Sequence, residues 1–338
     1  MKDTKTKVLL TGIAGFIGSH ILQHILENTD WDVVGVASWK HKGTPERIQQ
    51  VLRKNKEWED RVTIITHDLE SRFPERTKKR IGQCDYIINA AANSHVDRSI
   101  EDPVPFIENN VAVILTMLEF AREYKPKVFL QVSTDEVYGV APDGVNHPEW
   151  APIVPSNPYS ASKACQEAIA IAYWRSYGIP LIITNTMNNF GEMQDSEKYM
   201  AKVISMVFDG STVPVHGSES VIGTRFYLHA RNHADAILYL LKTTPTAYKD
   251  GEETRPDRYN IVGDTELNNL EVAQTIARLM HRDLKYELTD YHATRPGHDR
   301  RYALDGSKLK ALGWVAPVPF EDSLRKYIYW TLDNPLWL

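Results

Sequence analysis

Apolar and polar positions follow two different periods along the first half of the chain. Short apolar runs rich in valine and isoleucine predict buried strands, and stretches with apolar residues every three to four positions predict helices. Strands that alternate with helices predict an α/β fold, a doubly wound parallel sheet. The predicted strands are 7–11, 31–37, 62–66, 86–90, 128–132 and 180–184.

A glycine-rich turn joins the first predicted strand to the first predicted helix. Gly12, Gly15 and Gly18 have the spacing G-x-x-G-x-x-G. Glycines let a backbone approach a pyrophosphate, which binds at the amino terminus of the helix that follows. The turn therefore predicts a dinucleotide site, and a purely structural turn is the alternative.

A group of reactive side chains follows the fifth predicted strand. Thr134, Asp135 and Glu136 come at the carboxyl end of that strand, where open α/β sheets bind ligands. Tyr159 and Lys163 share one face of the next predicted helix, one turn apart. Because a nearby ammonium favours the phenolate, the group predicts a proton-transfer site. The alternative is that the two carboxyls cap a helix or lie in solvent.

The pattern changes in the second half of the chain, where long polar loops separate the predicted helices. Those helices are 198–208, 232–242 and 269–280. We expect a dinucleotide-binding domain over residues 1–187, to which the chain returns at about 225–242. Residues 188–338 are expected to form mainly a smaller α/β lobe for the second ligand.

Composition narrows the classes of partner. The 338 residues carry a net charge of −5, and no strongly basic stretch stands out, which argues against nucleic acid as a partner. No apolar run is read as long enough to span a membrane, and the polar amino terminus is a poor signal peptide. Cys84 and Cys165, far apart in sequence, are interpreted as reduced thiols. We expect a cytoplasmic protein.

Two pairs of histidines have the spacing of a helical metal pair. They are His20 with His24 and His229 with His233. Neither pair has the His-Glu-x-x-His pattern, so no metal site is predicted.

Taken together, these motifs resemble the extended short-chain dehydrogenase/reductase family, and within it the dTDP-glucose 4,6-dehydratases. The resemblance covers nearly the whole chain, and its most specific part is the adjacent carboxyl pair after Thr134. It implies a Rossmann-type sheet, a nicotinamide cofactor, a nucleoside-diphosphate hexose as substrate, and a homodimer formed through helices at 103–124 and 157–177. The segments that carry it are 11–18, 91–100, 134–136, 159–163, 184–191, 295–303 and 312–314.

The resemblance also implies a role for each matched residue. Tyr159, helped by Lys163, would remove the C4 hydroxyl proton of the hexose, and Thr134 would bond the C4 oxygen. Glu136 would act as base at C5, and Asp135 as acid toward the C6 hydroxyl. The implied cofactor contacts are Gly12, Gly15, Phe16, Ile17, Gly18, Ser38, Asp68, Leu69, Ala91, Tyr159 and Lys163. The implied substrate contacts are Ser94, Asn188, Lys198, His216, Arg225, Arg295 and His298.

Two departures from the family pattern leave finer questions open. The second predicted strand ends at Ala37 and not at the acidic residue that binds the ribose hydroxyls of NAD. NAD is the expected cofactor, and NADP stays an alternative. In the presumed nucleotide pocket His216 replaces a tyrosine, Thr265 an asparagine and Phe226 an aspartate. The hypothesis is a 4,6-dehydratase whose nucleotide base differs from thymine.

Two other functions compete with dehydration. A sugar-nucleotide 4-epimerase, or another modifier that uses NAD or NADP, would share the glycine turn and the Tyr159–Lys163 pair. A dinucleotide-binding sensor or scaffold would need the glycine turn alone, so the complete set from Thr134 to Lys163 argues against it.

Overall fold

Buried strands form where the apolar runs lie. The computed structural model describes residues 5–218, 221–243, 255–289 and 300–338. Within these ranges the strands are β1 (Lys7–Thr11), β2 (Asp32–Ala37), β3 (Val62–Thr66), β4 (Tyr86–Asn89), β5 (Val128–Thr134), β6 (Leu181–Thr186), β7 (Asn188–Phe190), β8 (Val213–Ser218), β9 (Val221–Ile222), β10 (Thr224–His229), β11 (Asp257–Ile261), β12 (Glu266–Asn268), β13 (Tyr286–Thr289) and β14 (Arg301–Tyr302). The helices are α1 (Phe16–Asn28), α2 (Pro45–Leu52), α3 (Glu75–Ile81), α4 (Val96–Glu101), α5 (Pro103–Tyr124), α6 (Pro158–Tyr177), α7 (Tyr199–Asp209), α8 (Ala230–Thr243), α9 (Asn269–Leu279), α10 (Ser307–Ala311) and α11 (Phe320–Asp333). Turns of 3₁₀ helix lie at Lys56–Arg61, Asp135–Tyr138 and Pro335–Trp337.

A seven-stranded sheet organises the larger part of the molecule. Its order is β11-β6-β5-β4-β1-β2-β3, and every neighbouring pair is parallel. The strand order reverses between β1 and β4, and a crevice opens at the carboxyl ends of strands at such a reversal. The predicted doubly wound parallel sheet is confirmed.

Helices cover both faces of this sheet. α1 and α8 contribute to the core on one face, and α5 and α6 to the core on the other. By length and composition alone, α5 is apolar enough to cross a membrane, contrary to the expectation from the sequence. It packs against α6 and buries Ile114, Met117 and Leu118 in the core beneath the large sheet.

The smaller lobe has its own core. One small sheet has the order β12-β10-β14, with β7 also paired to β10, and a second has the order β13-β8-β9. α7, α9 and α11 contribute the helical part of that core. The chain returns to the large sheet twice after residue 188, because α8 packs on α1 and β11 pairs with β6. The sequence suggested the α8 return and not the β11 return.

Candidate active site

The glycine turn between β1 and α1 has no room for side chains. Gly12 has a φ of +68°, and a Cβ atom added to Gly18 would lie 2.0 Å from the carbonyl oxygen of Gly12. Gly15 caps α1, and the first turn of that helix holds no acidic residue. A free helix amino terminus beneath a bare backbone fits a dinucleotide pyrophosphate. The geometry agrees with the role predicted for this turn.

A hydrogen bond joins Thr134 and Asp135 at the end of β5. Thr134 is the last residue of β5, and its Oγ1 donates to Oδ1 of Asp135 at 3.0 Å. Tyr159 lines the same cavity as both residues.

The surroundings of Asp135 favour its neutral form. Its side chain is buried, and its Oδ2 has no hydrogen-bond partner among the described residues. Burial, and then the charge of Glu136, raises the pKa of Asp135 to about 7. Glu136 is less buried, and its Oε2 accepts from Nδ2 of Asn157 at 3.1 Å. The turn therefore offers a carboxylic acid beside a second, more exposed carboxyl.

Lys163 is buried, and the groups that it bonds do not include Tyr159. Its Nζ donates to the carbonyl of Val132 at 2.8 Å and to Oε1 of Gln166 at 2.5 Å. Burial lowers the pKa of Lys163 to about 8. Burial, and then the charges of Glu136 and Asp135, raises the pKa of Tyr159. That Lys163 lowers the pKa of Tyr159 stays a prediction.

One cavity of about 490 Å³ joins the glycine turn to the reactive group. Every described residue for which cofactor binding or catalysis is predicted lines this cavity. Those residues are Gly12, Gly15, Phe16, Ile17, Gly18, Ser38, Asp68, Leu69, Ala91, Thr134, Asp135, Glu136, Tyr159 and Lys163. Ser94, Asn188 and Lys198 line the same cavity.

A second cavity of about 310 Å³ adjoins the first on the side of the smaller lobe. Ser94, Glu136, Asn188 and Lys198 line both, so the two spaces meet beside the carboxyl pair. The other predicted substrate contacts that line it are His216 and Arg225. Nδ1 of His216 lies 3.1 Å from Oγ1 of Thr289, and the guanidinium of Arg225 lies 4.5 Å from the ring centre of Tyr302. Arg295 and His298 fall outside the described residues.

Where the expected ribose-binding acid is missing, the chain has an ion pair that sequence reasoning did not find. Lys40 bonds Asp68 across the rim of the first cavity. That bond raises the pKa of Lys40 and lowers the pKa of Asp68. The loop bends sharply here, since Trp39 and His41 have φ values of 56° and 54°. The partners are 28 residues apart, which explains why no local pattern revealed the pair.

Further ion pairs, also unpredicted, connect the cofactor side of the cavity to the smaller lobe. The carboxylate of Glu197 lies 3.1 Å from Lys42, 3.3 Å from His95 and 3.4 Å from Arg98. Behind them Arg47 is fully buried, donates to the carbonyl of Met193 at 3.0 Å and pairs with Asp195 at 3.2 Å.

Each of the four paired histidines contacts a group of the protein. His229 lies 3.0 Å from the carboxylate of Glu192, and His24 lies 3.3 Å from that of Asp235. His20 bonds the backbone carbonyl of Glu192, and His233 lies 3.2 Å from Oδ1 of Asn189. In the described part of the chain no group of three or more possible ligands is placed to hold a metal ion.

A parallel sheet with a glycine turn at its switch point, and a tyrosine–lysine pair inside the crevice, define an extended short-chain dehydrogenase/reductase. A family model described as GDP-mannose 4,6 dehydratase matches residues 9–327. The chain belongs to this family of dehydratases, as its sequence predicted.

Similar proteins cover almost the full chain. The dTDP-glucose 4,6-dehydratase 1 of Escherichia coli (strain K12) is 37% identical over 98% of this chain and 94% of the relative. A dTDP-glucose 4,6-dehydratase of Streptomyces venezuelae, solved with NAD and the ligand TYD bound, superposes with a TM-score of 0.85 at 31% identity over 98% of both chains. A UDP-glucuronic acid 4-epimerase of Bacillus cereus has a TM-score of 0.84 at 22% identity, over 97% of this chain and 99% of the epimerase, and so shares the fold.

Proposed function

We propose that this protein is an NAD-dependent 4,6-dehydratase of a nucleoside-diphosphate hexose. The reaction transfers a hydride from C4 to the cofactor, removes water across C5 and C6, and returns the hydride to C6 with a proton to C5, which yields a 4-keto-6-deoxy sugar nucleotide. One observation carries the proposal: the turn with Asp135 and Glu136 faces Tyr159 in a cavity that extends from the glycine turn to the smaller lobe. An epimerase has no use for two carboxyls at this point.

NAD fits the cofactor side of the cavity. The glycine turn offers bare backbone and a helix amino terminus, and the relative from Streptomyces venezuelae was solved with NAD. When bound, NAD supplies a hydride acceptor at C4 and a hydride donor at C6. The cofactor contacts proposed at the adenosine end are Ser38, Asp68 and Leu69, with Lys40 held beside them by Asp68.

Each reactive side chain has one proton to move. Tyr159, as the phenolate, takes the C4 hydroxyl proton, and Thr134 bonds the C4 oxygen. The 4-ketone acidifies the C5 proton, which Glu136 removes as base. Asp135, whose neutral form is favoured by burial, gives its proton to the departing C6 hydroxyl. The ammonium of Lys163, one helical turn after Tyr159 on α6, would hold the cofactor ribose.

The sugar nucleotide is proposed to span the two cavities. The hexose lies beside Glu136, Ser94 and Asn188, where the cavities meet, and the diphosphate and base extend toward Lys198, His216 and Arg225. An arginine fork suits a diphosphate. Arg295 and His298 stay sequence-based members of this contact set. Thymidine is the first nucleoside to test because curated relatives are dTDP-glucose dehydratases; His216, Thr265 and Phe226 motivate a different base.

We also propose that the protein forms a homodimer and acts in the cytoplasm. Val104, Ile107 and Leu115 are exposed on α5, and Cys165, Ala168 and Ala172 are exposed on the small-residue face of α6. Core packing does not explain that face, because those three residues of α6 lie outside the core. Two copies that pair through α5 and α6 would cover both apolar faces.

A panel of sugar nucleotides tests the function. Purified protein with NAD is offered dTDP-, UDP-, CDP- and GDP-hexoses, and the 4-keto product is read by its absorbance in alkali. We expect product with at least one nucleotide and none from the Glu136→Gln variant. Strict preference for dTDP-glucose would contradict the altered-base hypothesis. Conversion of any of them to a 4-epimer without a 4-keto product would contradict the dehydratase function.

A further inference from the structure

A fully buried ion pair lies directly behind the reactive turn. Arg258 of β11 and Glu167 of α6 are both 0% exposed, and Nη2 of the arginine lies 2.6 Å from Oε2 of the glutamate. Burying two charges has a desolvation cost that their attraction seldom exceeds by much, so such a pair is a weak source of stability. The contacts around the pair indicate what else it does.

The pair holds both ends of the reactive turn. Oε1 of Glu167 accepts from Nδ2 of Asn185 at 2.8 Å, and the same amide donates to the carbonyl of Thr134 at 3.0 Å. At the other end, Nη1 of Arg258 donates to the phenol oxygen of Tyr138 at 3.2 Å. Thr134 caps the 3₁₀ turn and Tyr138 closes it. Both carboxyls of the site lie between these two anchors.

Glu167 also ties this turn to the helix that carries the other half of the site. Glu167 follows Lys163 by one helical turn and Tyr159 by two on α6. It is the charged group that acts on the pKa of Lys163, which it raises against the larger effect of burial. The oxidation residues and the elimination carboxyls are thus connected through one buried carboxylate.

We propose that the Glu167–Arg258 pair is a positioning element that fixes the elimination carboxyls relative to Tyr159 and Lys163. The proposal rests on the proposed dehydratase function. Oxidation at C4 depends on α6 and on Thr134, which the β5–β6 ladder also holds. Removal of the C5 proton depends on the turn. Loss of the anchors therefore slows elimination more than oxidation, because small displacements of a catalytic group cost large factors in rate.

The test uses the whole protein with NAD and the sugar nucleotide that it converts. Asn185→Ser removes the amide that joins Glu167 to the carbonyl of Thr134 and accepts from the phenol of Tyr138, and it keeps both members of the ion pair. Asn232→Ser is the matched control, because Asn232 is also a buried asparagine whose Nδ2 donates to a backbone carbonyl, that of Val318 at 2.8 Å. Tyr138→Phe removes the other anchor, together with the bonds from the phenol to Glu149 and Asn185, and serves if Asn185→Ser does not fold.

Two rates are measured in one turnover: reduction of the nicotinamide, read by absorbance, and exchange of the C5 proton with deuterium from the solvent. In Asn185→Ser and Tyr138→Phe we expect exchange to fall about ten- to a hundredfold relative to reduction. In Asn232→Ser the ratio of the two rates should stay within about twofold of wild type. Equal losses of both rates in Asn185→Ser and Tyr138→Phe would overturn the positioning role. A wild-type protein that shows neither rate with any sugar nucleotide would instead overturn the proposed function.

Discussion

Asp135 illustrates how position gives a residue its chemistry. The carboxyl is buried at the base of the cavity, with one oxygen bonded to Thr134 and the other without a partner among the described residues. Such a group is costly to ionise, so it keeps its proton to a higher pH than a solvent-exposed aspartate does. The adjacent Glu136 is less buried and is bonded by Asn157. Two neighbouring carboxyls therefore differ in the way that acid and base roles require.

The buried carboxyl gives a stability test at the residue scale. Folding raises the pKa of Asp135 from 3.8 to about 7. The stability that the protonated carboxyl contributes is therefore complete below the pKa of the unfolded chain and is lost as pH rises through the pKa of the folded protein. The side chain introduced by Asp135→Asn does not ionise, so between pH 5 and pH 8 the free energy of unfolding of wild type should fall by about 1–3 kcal/mol relative to that of the variant. Denaturant unfolding of both proteins across this range measures it. A difference independent of pH would contradict the assignment.

Residues were predictable where their partners are near in sequence or fixed by helical spacing. Thr134, Asp135 and Glu136 follow an apolar strand, and Tyr159 and Lys163 are one turn apart on α6, so their meeting was foreseeable. Arg258 was not, because its partner Glu167 is 91 residues away. The pattern of apolar residues along a sequence does not indicate which charged residues pair in the core.

At the scale of elements, strand length decided what the sequence could reveal. The strands of the large sheet that precede residue 188 were predicted because they are apolar runs of four to seven residues. β7, β9, β12 and β14 have two or three residues, too few to show a period. The sequence of β11 is Asp-Arg-Tyr-Asn-Ile, which is too polar to predict a buried strand. Its polar side chains are nevertheless buried, because they bond to buried partners.

The turn between β1 and α1 gives a test of an element. Gly18→Ala would place a Cβ atom 2.0 Å from the Gly12 carbonyl, so the turn must widen. We expect the free energy of unfolding to fall by about 1–3 kcal/mol and NAD affinity to fall with it. Gly263→Ala is the control, since its Cβ would lie equally close, 2.0 Å, to the carbonyl of Tyr227, away from the first cavity. Thermal unfolding and cofactor fluorescence titrations separate the effects. A Gly18→Ala variant that binds NAD as wild type does would contradict the cofactor role of the turn.

At the scale of the molecule, the reaction needs the two lobes to act on one substrate. The large sheet presents the reactive groups, and the smaller lobe supplies the second cavity that meets them at Glu136. Arg47 and the Glu197 ion pairs hold the cofactor side of the cleft against the loop that leads into α7. This arrangement suits a reaction in which the hydrogen removed from C4 is returned to the same substrate within one site.

The most direct test follows that hydrogen through one turnover. A nucleoside-diphosphate hexose that carries deuterium at C4, chosen from those converted in the panel, is incubated with the protein and NAD in ordinary water. The unlabelled hexose is incubated in parallel in deuterium oxide, and both products are analysed by mass spectrometry and NMR. We expect a 4-keto-6-deoxy product with the C4 deuterium at C6 in the first incubation and deuterium from the solvent at C5 in the second. Deuterium that stays at C4 in a 4-epimer, with no solvent exchange at C5, would contradict the dehydratase function.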